Sequence, residues 1–161
     1  LLIMFYPMTK RFIKAPQFIL GITFGSGTLI SYSLESNAFS PSILVLYFGV
    51  IAWVISFDTF YALEDIDDDK KIGIYSTPIL WGRNTIFIAR ILQYLFYISL
   101  AIIGFINKFS IFFILVIITL LLLDYVQMKY VKNKSFLEVF KFNNWIGIVA
   151  IFGFLIEIFI I

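Results

Sequence analysis

Six carboxylates crowd into twelve positions of this chain: Asp58, Glu64, Asp65, Asp67, Asp68 and Asp69, out of ten acidic residues in 161. They end an apolar run and are followed by Lys70, Lys71, Ser76, Thr77 and Arg83. At helical periodicity Asp58, Tyr61, Asp65 and Asp69 share one face, spaced by three, four and four, with Asp68 alongside. Carboxylates one turn apart lie about 6 Å from each other. At an effective dielectric near 20 each such repulsion costs about 3 kcal/mol. A divalent cation removes that cost, and Mg2+ suits the pattern because it takes one or two carboxylates and completes its shell with water and phosphate oxygens. Asp65 and Asp69 are therefore the expected metal ligands, supported by Asp58 and Asp68. Lys71, with Lys70 and Arg83, would neutralise diphosphate oxygens not bound to metal, and Ser76 and Thr77 can donate hydroxyl hydrogen bonds to them. The segment reads as half of a magnesium–diphosphate site.

Two other readings of these acids exist. One is a solvated acidic loop; against it stand the helical spacing and Asp58, which lies within an apolar stretch where an acid is a functional candidate. The other is the acidic filter of a cation carrier, which would set acids at the bilayer midplane rather than beside Lys, Ser and Thr at one mouth. A calcium loop is excluded, because Gly73 falls at loop position nine and Ser76, not Glu, at position twelve.

The positioning elements follow from composition. Hydrophobic residues make up 61% of the chain and charged residues 14%, with a mean hydropathy of +1.01. So few charges cannot cover a water-soluble domain of this size. Cys and His are both absent, which excludes disulfides, thiolate chemistry and imidazole bases and leaves oxygen ligands suited to hard ions. Apolar runs of about 18–21 residues match membrane helices. The expected fold is an all-α polytopic transmembrane bundle. It has five complete spans, at about 17–34, 43–61, 86–106, 109–126 and 142–161, and an N-terminal helix stub at Leu1–Tyr6 stopped by Pro7. Gly21, Gly25 and Gly27 in the first span would let neighbouring backbones approach closely.

The loops at 7–16, 62–85 and 127–141 fall on one side and hold ten of the twelve Lys and Arg residues. By the positive-inside rule that side, with the acidic segment, faces the cytoplasm, and the expected location is a bacterial inner membrane. Arg90 lies one or two turns inside the third span. Asp124 and Glu157, near helix ends, are expected at the interface, and Glu35 and Glu138 as solvated charges. Because Leu1 falls inside an apolar run, the chain is expected to be a C-terminal portion of a longer or split protein. No nucleic-acid partner is expected.

The acidic segment closely resembles the second acidic motif of the intramembrane aromatic prenyltransferases, and within them of the 4-hydroxybenzoate polyprenyltransferases. That motif reads approximately D-x-x-Y-A-x-x-D-x-x-D-D-x-x-I-G-x-x-S-T. Asp58, Tyr61, Ala62, Asp65, Asp68, Asp69, Ile72, Gly73, Ser76 and Thr77 meet its fixed positions. Tyr6-Pro7, Lys10-Arg11-Phe12 and Pro16-Gln17 look like the family's basic loop, and Phe140, Asn143, Asn144, Gly147 and Gly153 resemble its last helix. The resemblance implies half of a nine-helix fold and Mg2+-dependent transfer of a prenyl group from polyprenyl diphosphate to the ring of 4-hydroxybenzoate, ortho to its hydroxyl. It implies Asp65 and Asp69 as ligands, Tyr61 beside the allyl group, Arg11 on the benzoate carboxylate and a tail lying on apolar helix faces in the bilayer.

Two departures qualify it. Position 75, often basic in the family, is Tyr75. The family's first acidic motif, of the type N-D-x-x-D-x-x-x-D, has no counterpart here, so these residues alone are expected to be inactive, and a separate N-terminal half carrying that motif is an expected partner. Another aromatic acceptor, such as a quinone precursor or a tetrapyrrole, is the alternative within the superfamily.

Overall fold

In a computed structural model, residues 9–159 other than 37 and 39 are described; the stub at 1–6 and Pro7 lie outside them. The described chain is helical, with α1 at Pro16–Glu35, α2 at Pro41–Glu64, α3 at Ile66–Ile72 and α4 at Thr77–Trp81. A 3-10 turn, Gly82–Asn84, leads into α5 at Thr85–Ile106, α6 at Ile111–Lys132 and α7 at Phe136–Phe159. Pro16, Pro41 and Pro78 open α1, α2 and α4, where a missing amide proton costs nothing.

Among the described residues four stretches are long and apolar enough to cross a membrane: Pro41–Glu64, Thr77–Ile106, Ile111–Lys132 and Phe136–Phe159. The expected fifth, α1, has the length at 20 residues but falls outside that set. Its Gly, Ser and Thr residues dilute the hydropathy. Several of those hydroxyls are satisfied within the helix: Thr23 donates to Ile19 O at 2.7 Å and Ser26 to Thr23 O at 2.6 Å. The basic connection expected over 127–141 is largely helix. Lys129 and Lys132 belong to the last turn of α6, and only residues 133–135 join it to α7.

Helix α2 is the centre of the bundle, packed against α1, α5 and α7, while α6 leans chiefly on α7. The approach of α2 to α5 depends on Gly49, where a Cβ would collide with Ser99 Oγ. Gly21 and Gly25 abut Ile51 and Tyr47 of α2 as expected, whereas Gly27 faces open space. The core gathers Phe96, Tyr97, Leu100, Phe113, Leu120 and Ile146 from α5, α6 and α7.

Hydrogen bonds fix which ends lie together. Tyr75 N donates to Lys10 O at 2.8 Å and Leu137 N to Glu64 Oε2 at 3.2 Å, which joins the three basic loops on one side. On the other, Asn107 Nδ2 reaches Ser42 Oγ at 3.1 Å, and Glu157 caps α6 by accepting from Ser110 N at 2.9 Å and Ser110 Oγ at 2.6 Å.

Candidate active site at the acidic mouth

The acids do not ride on one continuous helix. The chain bends at Asp65, whose φ of −94° and ψ of 6° separate α2 from α3. Asp58 and Tyr61 therefore sit on α2, Asp65 at the break and Asp69 on α3. Helix-dipole electrostatics favour the break. In a continuous helix Asp67, Asp68 and Asp69 would burden a C-terminus; here they fill the first turn of α3, and Lys70 and Lys71 fill its last. Gly73, at φ 74°, then reverses the chain, with Gly73 N donating to Asp69 O at 3.0 Å and Ile74 N to the same carbonyl at 3.1 Å.

Of the residues in α3, Asp69 is the buried one. Asp69 is 5% exposed and its Oδ2 has no hydrogen-bond partner. Two further buried atoms among the described residues share this condition, Gln17 Nε2 and Ser76 Oγ. All three belong to residues at the basic end of the bundle. Gln17 Oε1 accepts from Thr77 N at 3.1 Å, so Gln17 and the Lys10 carbonyl together strap residues 75–77 to the start of α1. Thr77 Oγ1 is 2.7 Å from Thr59 Oγ1, and Thr59 also donates to Ile55 O. The Thr77 hydroxyl, expected to reach a phosphate, is thus spent inside the protein. Ser76 is fully buried beside it.

The remaining expected residues are spread over the surface of this end. Asp65 is part-buried, while Lys70 and Arg11 are exposed. Lys71 pairs with Asp68 at 2.8 Å in the open. Tyr61 is half-exposed and meets Phe140 at 5.0 Å between ring centres. Arg83 lines a hollow of about 650 Å³ with Arg90 and Tyr94, which none of the acidic residues shares. Glu64 is occupied in capping α7.

Among the described residues no three acids converge where a metal ion could sit. The donors present are nonetheless of the right kind: hard oxygens, one of them buried and unpartnered, in the number Mg2+ takes from protein. The fit is that of a partial shell.

An open groove of about 750 Å³ runs between α1 and α7 over α2, lined by Phe24, Trp53, Phe57, Phe140, Asn144 and Ile148 among others. The ring contacts Tyr61–Phe140, Phe57–Phe140 and Trp53–Phe57 run continuously along it.

Residue spacing also carried a second constellation that sequence reasoning left unread. Arg90, Gln93, Tyr94 and Tyr97 form one polar stripe on α5, and Asp124 and Gln127 form its counterpart on α6. Asp124, expected at the interface, is 3% exposed and paired with Arg90 through Nη1 at 3.0 Å and Nη2 at 2.9 Å. Gln93 Nε2 and Tyr94 OH complete its carboxylate, each at 3.2 Å. Gln17 was equally legible as a glutamine opening a membrane-length helix.

The comparisons agree with this architecture. Residues 1–155 match the UbiA prenyltransferase family. A 4-hydroxybenzoate octaprenyltransferase of Saccharophagus degradans is 33% identical over 94% of this chain and 52% of its own. One from Vesicomyosocius okutanii is 34% identical over 98% and 59%. The chain thus spans between half and three fifths of these relatives' length. The apo structure of a UbiA homolog from Aeropyrum pernix superposes with a TM-score of 0.79 over 98% of this chain and 60% of that one, at 21% identity, a likeness of fold. With the acidic mouth, the bent α2–α3 junction and the family match in hand, the chain belongs to the UbiA prenyltransferase family.

Proposed function

We propose that this chain is the C-terminal portion of a Mg2+-dependent prenyltransferase that joins a polyprenyl group to the ring of 4-hydroxybenzoate. The observation that carries the reading is Asp69, a buried carboxylate with an unpartnered oxygen. A buried charge left unmatched is costly, and a bound cation supplies the match. Asp65 and Asp69 would hold Mg2+, which when bound neutralises diphosphate oxygens and eases departure of the leaving group. Lys70 and Lys71, both exposed at this mouth, attract and balance the remaining diphosphate charge. Tyr61 and Phe140 present aromatic faces where the groove meets the mouth and shield the allylic carbon from water. Arg11, on the loop tied to Tyr75 through Lys10, would take the acceptor's carboxylate. In the reaction the allylic C–O bond breaks, a ring C–C bond forms and the ring proton leaves. The names of the relatives favour 4-hydroxybenzoate as acceptor, and the basic-side clustering favours the cytoplasmic face of an inner membrane.

Since no three acids converge among the described residues, the reading requires further carboxylates from a companion segment. The test is transfer of labelled prenyl to 4-hydroxybenzoate in membranes carrying this chain and that segment. Asp65→Asn or Asp69→Asn removes it, and near-normal turnover in either variant contradicts the assignment. Competition by other aromatic acids ranks the acceptors.

A further inference from the structure

Asn143 and Gly147 belong to the last-helix pattern, yet neither touches the acidic mouth. Both touch Trp53. The indole Nε1 donates to Asn143 Oδ1 at 3.0 Å, and Asn143 is itself held by donating to Val139 O at 2.9 Å. The indole stacks on Phe96 at 4.8 Å with 9° between planes. Gly147 gives it room, since a Cβ there would lie 2.9 Å from the far edge of the ring.

Trp53 lines the open groove of about 750 Å³. It also lines an adjoining apolar hollow of about 260 Å³ with Leu46, Phe96, Leu100, Ala150 and Phe154, and Val50, Gly147 and Ile151 border both spaces. Trp53 stands eight residues before Tyr61 on α2, about 12 Å of helix rise from the mouth.

We propose that Trp53 is a specificity-determining residue: a pinned wall that a prenyl chain meets about 12 Å of helix rise beyond Tyr61, and that turns the chain along the α1–α7 groove instead of into the adjoining hollow. Asn143 and Gly147 are the positioning residues that hold the wall. This rests on the groove receiving the prenyl tail.

The test needs no turnover. Trp81→Phe and Trp145→Phe leave Trp53 as the single indole, because the chain has three Trp residues. In nanodiscs with Mg2+, farnesyl diphosphate shifts or quenches Trp53 emission, whereas dimethylallyl diphosphate, too short to reach, and inorganic diphosphate do not. Binding of radiolabelled ligands supplies the second arm. Trp53→Ala joins the two hollows and lowers the farnesyl-over-dimethylallyl preference about tenfold. Gly147→Val drives the indole into the groove and weakens farnesyl diphosphate about tenfold while sparing the short ligand. Should farnesyl diphosphate bind with Trp53 emission unmoved and the preference unchanged in both variants, the wall is overturned while the prenyl-diphosphate reading stands. If neither prenyl ligand binds better than inorganic diphosphate in nanodiscs that carry the chain together with its companion segment, the functional reading falls and takes the wall with it.

Discussion

Asp69 and Asp124 are buried to nearly the same degree, 5% and 3% exposed, and the bundle treats them in opposite ways. Asp124 accepts from Arg90 twice, from Gln93 and from Tyr94. Through Gln93 and Gln127 its network runs on to the carbonyl of Val139 in α7. It is finished, and it ties α5, α6 and α7 together at a depth where polar contacts between helices act as glue. At the basic end, Asp69 Oδ2, Ser76 Oγ and Gln17 Nε2 are buried without partners. An unmatched buried group costs about 1–3 kcal/mol, so a fold able to complete one carboxylate and leaving the other open is spending stability at the open one. The contrast separates an ion pair built for architecture from acids that the proposed function assigns to a ligand.

The largest effect comes from breaking the finished network. Asp124→Ala strands Arg90 and lowers stability by about 3 kcal/mol, read from unfolding in detergent, whereas Arg90→Met with Asp124→Leu recovers most of the loss because the pair's desolvation is removed with it. A smaller loss attends Gln17→Leu, which deprives the Thr77 amide of its acceptor and costs about 2 kcal/mol; hydrogen exchange at Thr77 quickens while the core amides of α5 stay protected. Asp69→Asn reverses the sign: neutralising an unmatched buried carboxylate leaves stability unchanged or raises it by about 1 kcal/mol. The smallest change is Asp68→Ala, whose pair with Lys71 is exposed on both sides and is worth no more than about 0.5 kcal/mol. A loss of several kcal/mol at Asp69, or none at Asp124, erases the contrast.

Much of this was legible from the chain. Run length and hydropathy located α2, α5, α6 and α7 to within a few residues at most of their ends, and loop charge sorted the ends into two sides. The break at Asp65 was not legible, because helical spacing extrapolates smoothly through it; the dipole preference for acids in a first turn decides the matter only once α2 has an end. Thr77 looked like a phosphate contact by type, but its partner Thr59 is 18 positions away, a pairing that local spacing cannot reveal. The Arg90–Asp124 pair was hidden for the same reason, although the polar stripes on α5 and α6 were each visible in their own periodicity. Trp53 carries no signal in local spacing, because its partner Asn143 lies 90 positions away.

The central claim is that Asp69 is kept open for a metal-bound diphosphate. Manganese, a paramagnetic stand-in for magnesium, can be titrated by electron paramagnetic resonance into nanodiscs carrying the chain and its companion segment, with farnesyl diphosphate present. The account predicts that Asp69→Asn weakens diphosphate-dependent Mn2+ binding at least about tenfold with no loss of thermal stability, while Asp124→Asn lowers stability and leaves the binding intact. Equal Mn2+ affinity in the unsubstituted chain and Asp69→Asn would contradict it.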